Sequence, residues 1–188
     1  MATRDEGRED EGAPASKITI RPATLADVPA LVALERRSFS GDWVSERSFR
    51  ALIRRGRAAL LVEEWEDEIR GYALLFFRRG NAKARLYSFA VAHKHRGRGL
   101  AKALLRAAEA AAREHGADAL RLEVRADNAK AQALYGRRGY KSFGRRSAYY
   151  EDGTDALLME KRLTRRRRRR SRRRSSRRRR PRKKIARP

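Results

Sequence analysis

Apolar positions recur along this chain with two periods, and each period predicts a different kind of element. Where apolar and polar residues alternate, or where short apolar runs are bounded by turn residues, we expect strands. Where apolar residues recur every three to four positions, we expect helices. Strands are predicted at 17–21, 58–63, 69–77, 85–91, 120–125, 141–148 and 156–161. Helices are predicted after Thr24, after Ser45, at 97–115 and at 128–138.

The order of these elements predicts the fold class. Thr24 precedes Asp27 by three residues, which is the spacing of a helix N-terminal cap, and Gly116 is a good stop for the long helix. The early strands follow one another as hairpins, whereas a strand–helix–strand crossover comes late in the chain. We therefore expect an α/β protein, with a mixed sheet and helices on both of its faces.

Charge is distributed unevenly along the 188 residues. Of the 49 Lys and Arg residues, 17 lie between Arg165 and Pro188, a stretch without any Asp or Glu. Without that stretch the net charge of +26 falls to +9, so the remainder is only moderately basic. We predict a disordered acidic segment at 1–16, one folded domain at 17–163 and a disordered Arg-rich tail at 164–188.

The composition argues against several classes of site and location. There is no cysteine, which excludes disulfides, thiolate metal sites and cysteine nucleophiles. His93, His95 and His115 lack the spacing of a metal site, so no metal is expected. The N-terminal segment has no signal-peptide pattern, and no apolar run approaches the roughly 20 residues that cross a bilayer. We expect a soluble cytoplasmic protein without a membrane partner.

A basic loop with two glycines, His93–Gly99, lies between a predicted strand and the long helix. Gly97 and Gly99 permit backbone conformations that other residues resist, and they leave room for a ligand. The first N–H groups of a helix have no partners within it, and the helix dipole favours an anion there. The loop therefore predicts a site for a polyanion such as the pyrophosphate of a nucleotide cofactor. The alternative is that the glycines serve only the turn.

This loop resembles the acetyl-CoA motif of the GNAT superfamily of N-acetyltransferases, Gln/Arg-x-x-Gly-x-Gly/Ala, which here is Arg96-x-x-Gly99-x-Ala101. The stretch from Leu122 to Tyr140 is similar to that of bacterial ribosomal-protein-alanine N-acetyltransferases, and the likeness continues through 149–157. It covers roughly residues 17–163. The resemblance implies a central mixed, splayed sheet of about six to seven strands. It also implies acetyl-CoA as the co-substrate.

The resemblance implies roles for individual residues. Glu123 matches the general base and Tyr135 the general acid of these enzymes. The implied cofactor-binding residues are a strand segment that pairs with pantetheine, the loop and helix start that hold the pyrophosphate, and one asparagine. These are Phe89, Ala90, Val91, Arg96, Gly97, Arg98, Gly99, Leu100, Ala101, Lys102 and Asn128.

The chemistry of acetyl transfer agrees with these roles. A neutral amine must attack the thioester, so a base must accept a proton, directly or through water, and the departing thiolate needs a proton or a hydrogen-bond donor. On its strand Glu123 faces away from the apolar side, toward a cleft. Each residue also has a structural reading. Glu123 would pair with the arginines at 121 and 125, Tyr135 would pack on the sheet, and Asn128 would be a plain helix cap.

The predicted acceptor is the N-terminal α-amine of a protein. An α-amine has a pKa of about 7.7–8.0, against about 10.4 for lysine, so a modest base suffices near neutral pH. Phe39, Trp43, Tyr149 and Tyr150 lie where these enzymes place acceptor-binding loops. Lysine side chains, polyamines and other small amines remain open as acceptors. An alternative of another class is a nucleic-acid-binding protein whose domain binds acetyl-CoA without turnover.

The arginine tail, residues 165–188, predicts a nucleic-acid or ribosome partner. Its Arg runs have nothing to bury and would bind phosphates with salt-sensitive, sequence-indifferent affinity. The tail has no aromatic residue to stack on bases. A tail that only affects solubility and a tail that binds an acidic protein surface are the alternatives.

Overall fold

The computed structural model of the chain describes residues 18–39, 41, 43–55 and 58–163. The predictions for residues 1–16 and 164–188 lie outside these residues. The strands and helices of the described part follow one another in the predicted order. They are β1 Thr19–Pro22, α1 Val28–Ser38, α2 Glu46–Arg55, β2 Ala58–Trp65, β3 Glu68–Phe76, β4 Lys83–Val91, α3 Leu100–Glu114, β5 Ala119–Arg125, α4 Ala129–Arg137, β6 Lys141–Arg146 and β7 Ala156–Arg162.

These strands form one seven-stranded sheet in the order β1-β2-β3-β4-β5-β7-β6. Neighbouring strands are antiparallel, except that β4 and β5 run parallel because α3 connects them across the sheet. The predicted mixed sheet is confirmed, and its seven strands agree with the number that the resemblance implies.

Two hydrophobic cores lie on opposite faces of the sheet. β3 is buried along most of its length, and its residues alternate between the two cores, as the pleat of a strand requires. Tyr72 and Leu74 pack with residues of α1 and α2, whereas Ala73 and Leu75 pack with residues of α3 and α4. The helices therefore cover both faces, as predicted.

Several element ends differ from the predicted ones where the backbone is left-handed. The long helix begins at Leu100 rather than at Gly97, because Gly97 and Gly99 have φ angles of 82° and 81°. The sixth strand stops before Ala148, whose φ is 46°. The turn between β2 and β3 is only Glu66–Asp67, with positive φ at both residues, as a two-residue type I′ hairpin turn requires.

The sheet is forked between β4 and β5. Their parallel ladder ends at Leu86 and Leu122, although β4 continues to Val91 and β5 to Arg125. Beyond the ladder the two strands have no backbone pairing with each other, while β4 stays on β3 and β5 stays on β7. The fork therefore leaves backbone groups and side chains of both strands free to line a site.

A bulge in β4 lies at the start of the fork. Leu74 of β3 pairs with Ser88, and the next β3 residue, Leu75, pairs with Leu86. Tyr87 between them has no partner on β3, and 45% of its surface is exposed. Because a bulge re-aims the side chains around it, Ser88 and Phe89 can both reach the cavity described next.

Candidate active site

A cavity of about 740 Å³ occupies the fork. Five parts of the chain line it: the end of α1 with the residues after it, β4, β5, α4, and the loop between β6 and β7. Its lining residues are Glu35, Ser38, Phe39, Gly41, Arg85, Leu86, Tyr87, Ser88, Phe89, Leu122, Glu123, Val124, Arg125, Asn128, Ala131, Leu134, Tyr135, Tyr149, Tyr150, Glu151 and Asp152.

Glu123 lies on the β5 wall, one residue beyond the end of the parallel ladder. Its side chain is 16% exposed, and Oε2 accepts a hydrogen bond of 2.9 Å from Nε of Arg85 on β4. Oε1 has no hydrogen bond within the part of the chain that the structure describes. The two arginines that the sequence suggested as partners of Glu123 have other partners. Arg121 pairs with Glu160, and Arg125 pairs with two aspartates. Glu123 is thus ion-paired, but across the fork rather than along its own strand.

Arg85 carries the positive charge of this wall. Burial alone would lower the pKa of Arg85, but the nearby Glu123 carboxylate and then Tyr149 raise it overall, so the guanidinium stays charged. Its Nη2 donates to the Tyr149 hydroxyl at 3.0 Å, and its carbon Cζ lies 5.2 Å from the centre of the Tyr87 ring.

Tyr135 lies on α4, also on the cavity wall. The residue is 7% exposed, and its ring packs between Phe89 at 6.4 Å and Tyr140 at 5.6 Å between centroids. Within the described residues its hydroxyl makes no hydrogen bond. Burial, followed by the neighbouring Tyr150, raises the pKa of Tyr135, so its hydroxyl remains protonated. Tyr135 therefore packs its ring among apolar neighbours, as the structural reading expects, and its hydroxyl also has no hydrogen-bond partner in the described residues.

A second carboxyl group, Glu35 of α1, also lines the cavity and was not predicted from the sequence. It is 2% exposed, and Oε1 accepts the backbone N–H of Val44 at 3.0 Å. Its Oε2 accepts from the hydroxyls of Tyr72 and Ser88. Burial is the main cause that raises the pKa of Glu35, opposed by the Val44 and Ser88 hydrogen bonds. The cavity therefore holds one carboxyl paired with a cation and one held by neutral donors.

The glycine loop forms the N-terminal end of α3. In the described residues, the N–H groups from Gly97 to Lys102 donate to no backbone or side-chain acceptor. Gly97 and Gly99 are both left-handed, and nothing lies within 4 Å of where a Cβ would be. Arg96, Arg98 and Lys102 are exposed around these groups. Free N–H groups, a helix start and three cations together suit a pyrophosphate group.

Two sets of contacts hold this loop in place. Arg96 Nε donates to the carbonyl of Val91 at the end of β4, at 3.3 Å. Leu100 and Leu104 are buried with Val91 in a small apolar cluster. The helix start is therefore fixed next to the end of β4. None of the residues 96–102 lines the fork cavity itself.

The other predicted cofactor residues lie in or near the fork. Phe89 lines the cavity, whereas Ala90 and Val91 are buried in the sheet. Asn128 also lines the cavity, and its side chain accepts the backbone N–H of Ala131 at 3.0 Å. Asn128 is therefore a helix cap, and its capping role and its place on the cavity wall coexist.

The predicted acceptor residues do not all share one site. Phe39, Tyr149 and Tyr150 line the cavity. Trp43 instead lies in a smaller apolar groove of about 360 Å³ with residues of α2 and β3, and its Nε1 donates to the carbonyl of Phe39 at 2.8 Å. Tyr87 lines both the groove and the cavity.

The loop between β6 and β7 is braced from two sides. Arg125 donates to Asp152 at 2.7 Å and to Thr154 at 2.8 Å, and its guanidinium lies 5.0 Å from the Tyr150 ring. Asp155 accepts the backbone N–H of Ala148 at 2.9 Å. These contacts hold the Tyr149–Tyr150 pair over the cavity.

The described residues contain no group of three or more His, Cys, Asp and Glu side chains that could hold a metal ion. None of their helices is long and apolar enough to cross a membrane.

The match to a known family decides the class of this protein. The sequence pattern of the Acetyltransferase (GNAT) family matches residues 28–140, which include both strands of the fork, the glycine loop and Tyr135. The chain belongs to the GNAT acetyltransferase family. It is therefore an N-acetyltransferase, and acetyl-CoA is the acetyl donor of its family.

Individual relatives differ in the acceptor that their names specify. A Bacillus subtilis (strain 168) protein provisionally named a ribosomal protein bS18-alanine N-acetyltransferase is 32% identical over 145 residues, 77% of this chain and 95% of that protein. The crystal structure of the ribosomal-protein-S18-alanine N-acetyltransferase from Escherichia coli is similar with a TM-score of 0.70 and 29% identity, covering 79% of this chain and 95% of that one. Streptothricin acetyltransferase of Streptomyces lavendulae is 36% identical over 98 residues, 50% of this chain and 52% of that protein.

Proposed function

We propose that this GNAT enzyme acetylates the N-terminal α-amine of a protein, with alanine as the first residue. The observation that supports it most is the fork cavity, which brings Glu123 of β5 and Tyr135 of α4 to one space beside β4. The Bacillus subtilis and Escherichia coli relatives, whose names specify this acceptor, match nearly their whole length to this chain.

Glu123 acts as the base in this proposal. A general base must lie within hydrogen-bond reach of the proton that it removes, or reach it through one water. Oε2 is held by Arg85, whereas Oε1 is left to accept the proton of the amine or of an intervening water. We favour relay through a water at Oε1.

Acetyl-CoA, when bound, supplies an acetyl group activated as a thioester. We propose that the free N–H groups of residues 97–102 hold its pyrophosphate, and that 89–91 and Asn128 contact the rest of the cofactor. Tyr135 then donates a hydrogen bond to the sulfur. Its pKa lies above the ordinary value, whereas that of a thiol is about 8.5, so full proton transfer from Tyr135 is unfavourable. Its role is stabilisation of the departing thiolate.

Glu35 supports an amine as the acceptor. Its buried carboxyl on the α1 wall and Glu123 on the β5 wall give the cavity two acidic groups from different elements. An α-amine is partly neutral near pH 7.5, since its pKa is about 7.7–8.0. Such a site attracts the protonated amine and lets a modest base deprotonate it.

A small amine is the second candidate acceptor. The similarity to streptothricin acetyltransferase favours it, because that protein's name specifies a small molecule. A cavity of about 740 Å³ also lies within the roughly 300–1,000 Å³ range of small-molecule sites.

Release of free thiol from acetyl-CoA by the full-length protein separates these candidates. The acceptors are a peptide that begins with alanine, the same peptide with a blocked α-amine and an internal lysine, spermidine and streptothricin. We expect turnover with the free alanine peptide and none with the blocked peptide. Preference for spermidine or streptothricin would overturn the proposed acceptor, and CoA binding without turnover on any amine would favour the non-catalytic alternative.

We propose that the arginine tail carries this enzyme to RNA or ribosomes in the cytoplasm. The support is its sequence alone: 17 basic residues without an acid between Arg165 and Pro188. The affinity of the full-length chain for RNA should fall steeply with salt. If a chain that ends at Thr164 binds RNA as tightly at low salt, the tail has no such role.

A further inference from the structure

We infer that Arg85 is a positioning residue, which orients Glu123 for proton removal and links it to the loop that carries Tyr149. The inference deepens the proposed function, because it rests on Glu123 as the base. It starts from one guanidinium of β4 that donates hydrogen bonds to two other parts of the chain, β5 and the loop between β6 and β7.

The position of Arg85 in the fork gives it this reach. Arg85 is paired with Arg121 in the parallel ladder, one residue before the ladder ends. Glu123 lies just past the end, where backbone hydrogen bonds no longer tie β5 to β4. The ion pair between Glu123 and Arg85 therefore connects β5 to β4 through side chains, at the place where the backbone ladder ends and the cavity begins.

Within the described residues, the salt-bridge partner of Glu123 is Arg85. Arg121 is taken by Glu160, and Arg125 is taken by Asp127 and Asp152. Loss of Arg85 would therefore leave the Glu123 side chain, 16% exposed, without a salt-bridge partner.

The contact geometry determines which carboxylate oxygen of Glu123 can accept the proton of the amine. Arg85 uses Nε on Oε2 of Glu123 and Nη2 on the Tyr149 hydroxyl, so it does not grip both oxygens as a bidentate pair would. Oε1 is left for the acceptor amine or its relay water. The same guanidinium fixes Tyr149 at the mouth of the cavity, so the base and the acceptor-side loop are held together.

Three substitutions and one matched control test this inference. Arg85→Met removes the charge and both hydrogen bonds, Arg85→Lys keeps the charge with a single donor group, and Tyr149→Phe removes only the second contact. Arg121→Met is the control, because Arg121 lies on the same sheet face next to Glu123 but pairs with Glu160. The readouts are kcat and KM for the alanine peptide at pH 7.5, and the Kd of acetyl-CoA.

Arg85→Met should lower kcat/KM about tenfold or more, part of the 10²–10⁴ that a general base contributes. The loss should fall mainly on kcat, because a misplaced base slows proton removal while acetyl-CoA still binds. Arg85→Lys should restore part of kcat. Tyr149→Phe should raise the acceptor KM with little change in kcat, and Arg121→Met should match the wild type.

An unchanged kcat/KM in Arg85→Met would overturn the inference, as would an equal change in Arg121→Met. A second readout is independent of turnover. A crystal structure of Arg85→Met should show the side chains of Glu123 and Tyr149 displaced from their wild-type positions, and unchanged positions would overturn the inference. If the wild type transfers no acetyl group, the proposed function fails, and this structure still decides whether Arg85 positions Glu123.

Discussion

The two carboxyl groups of the fork cavity lie on different elements and in different environments. Glu35 of α1 is buried and held by neutral donors, and burial raises its pKa, whereas Glu123 of β5 is partly exposed and pairs with the guanidinium of Arg85. The comparison teaches that this site separates two tasks, with one carboxyl suited to receive the amine and the other placed by Arg85 to take its proton.

The largest effect should come from the β5–α4 wall. Tyr135→Phe keeps the buried ring but removes the hydroxyl, so kcat should fall about 100-fold or more while the Kd of acetyl-CoA changes little. Tyr140→Phe is the matched control, because its ring lies 5.6 Å away and its hydroxyl is buried without a partner in the described residues. Stopped-flow turnover with the alanine peptide measures both. Equal losses in the two variants would show a packing effect and contradict the role of Tyr135.

The α1 wall should affect binding more than chemistry. Glu35→Gln keeps an oxygen for the N–H of Val44 but removes the ionisable group. We expect the acceptor KM to rise about tenfold, which corresponds to roughly 1.4 kcal/mol of binding free energy, with a smaller change in kcat. Steady-state kinetics with varied peptide separates the two constants. A fall in kcat with an unchanged KM would instead make Glu35 part of the chemical step.

The same substitution tests the raised pKa of Glu35 through stability. The folded protein holds the Glu35 proton more tightly than the unfolded chain does. Its stabilising contribution is therefore full below the ordinary value of 4.5 and is lost as pH rises through the raised folded value. Urea unfolding between pH 4.5 and 7.5 should show Glu35→Gln gaining stability relative to the wild type as pH rises. A difference that stays constant with pH would contradict the burial effect.

The smallest effect should come from the contact between the two loops at the cavity mouth. A Cβ at Gly41 would lie too close to a carboxylate oxygen of Glu151 for both atoms to keep their positions. Glu151 is exposed and its side-chain end is flexible, so it can move aside at little cost. Gly41→Ala should therefore change the acceptor KM less than about threefold, a fraction of 1 kcal/mol. A loss comparable to that of Tyr135→Phe would show that this contact controls entry.

The fold and part of the site could be predicted from the sequence because they depend on local signals. Alternation along β5 placed Glu123 opposite Leu122 and Val124, and the structure confirms that these two are buried while Glu123 lines the cavity. The glycine spacing in the loop predicted left-handed glycines and free N–H groups at the start of the helix. It did not predict the exact residue at which the helix begins.

Contacts between distant segments escaped sequence reasoning. The partner of Glu123 is Arg85, 38 residues earlier, because the sheet order brings β4 beside β5, whereas the sequence pointed to its strand neighbours. Glu35 left a signal that was not used: it lies four residues after Leu31, on the apolar face of α1, where a charge is costly without a role. Trp43 was predicted as an acceptor-binding residue from the position of its loop, but it lines the smaller groove and not the cavity.

The central claim is transfer of acetyl to an α-amine, and a peptide with two competing amines tests it most directly. The peptide begins with a free alanine and contains one internal lysine, and the full-length protein acts on it with acetyl-CoA at pH 7.5. Fragment mass spectrometry then locates the acetyl group. The account predicts a product acetylated on the alanine α-amine, formed by the wild type and nearly absent with Tyr135→Phe. A product acetylated mainly on the lysine side chain would contradict it.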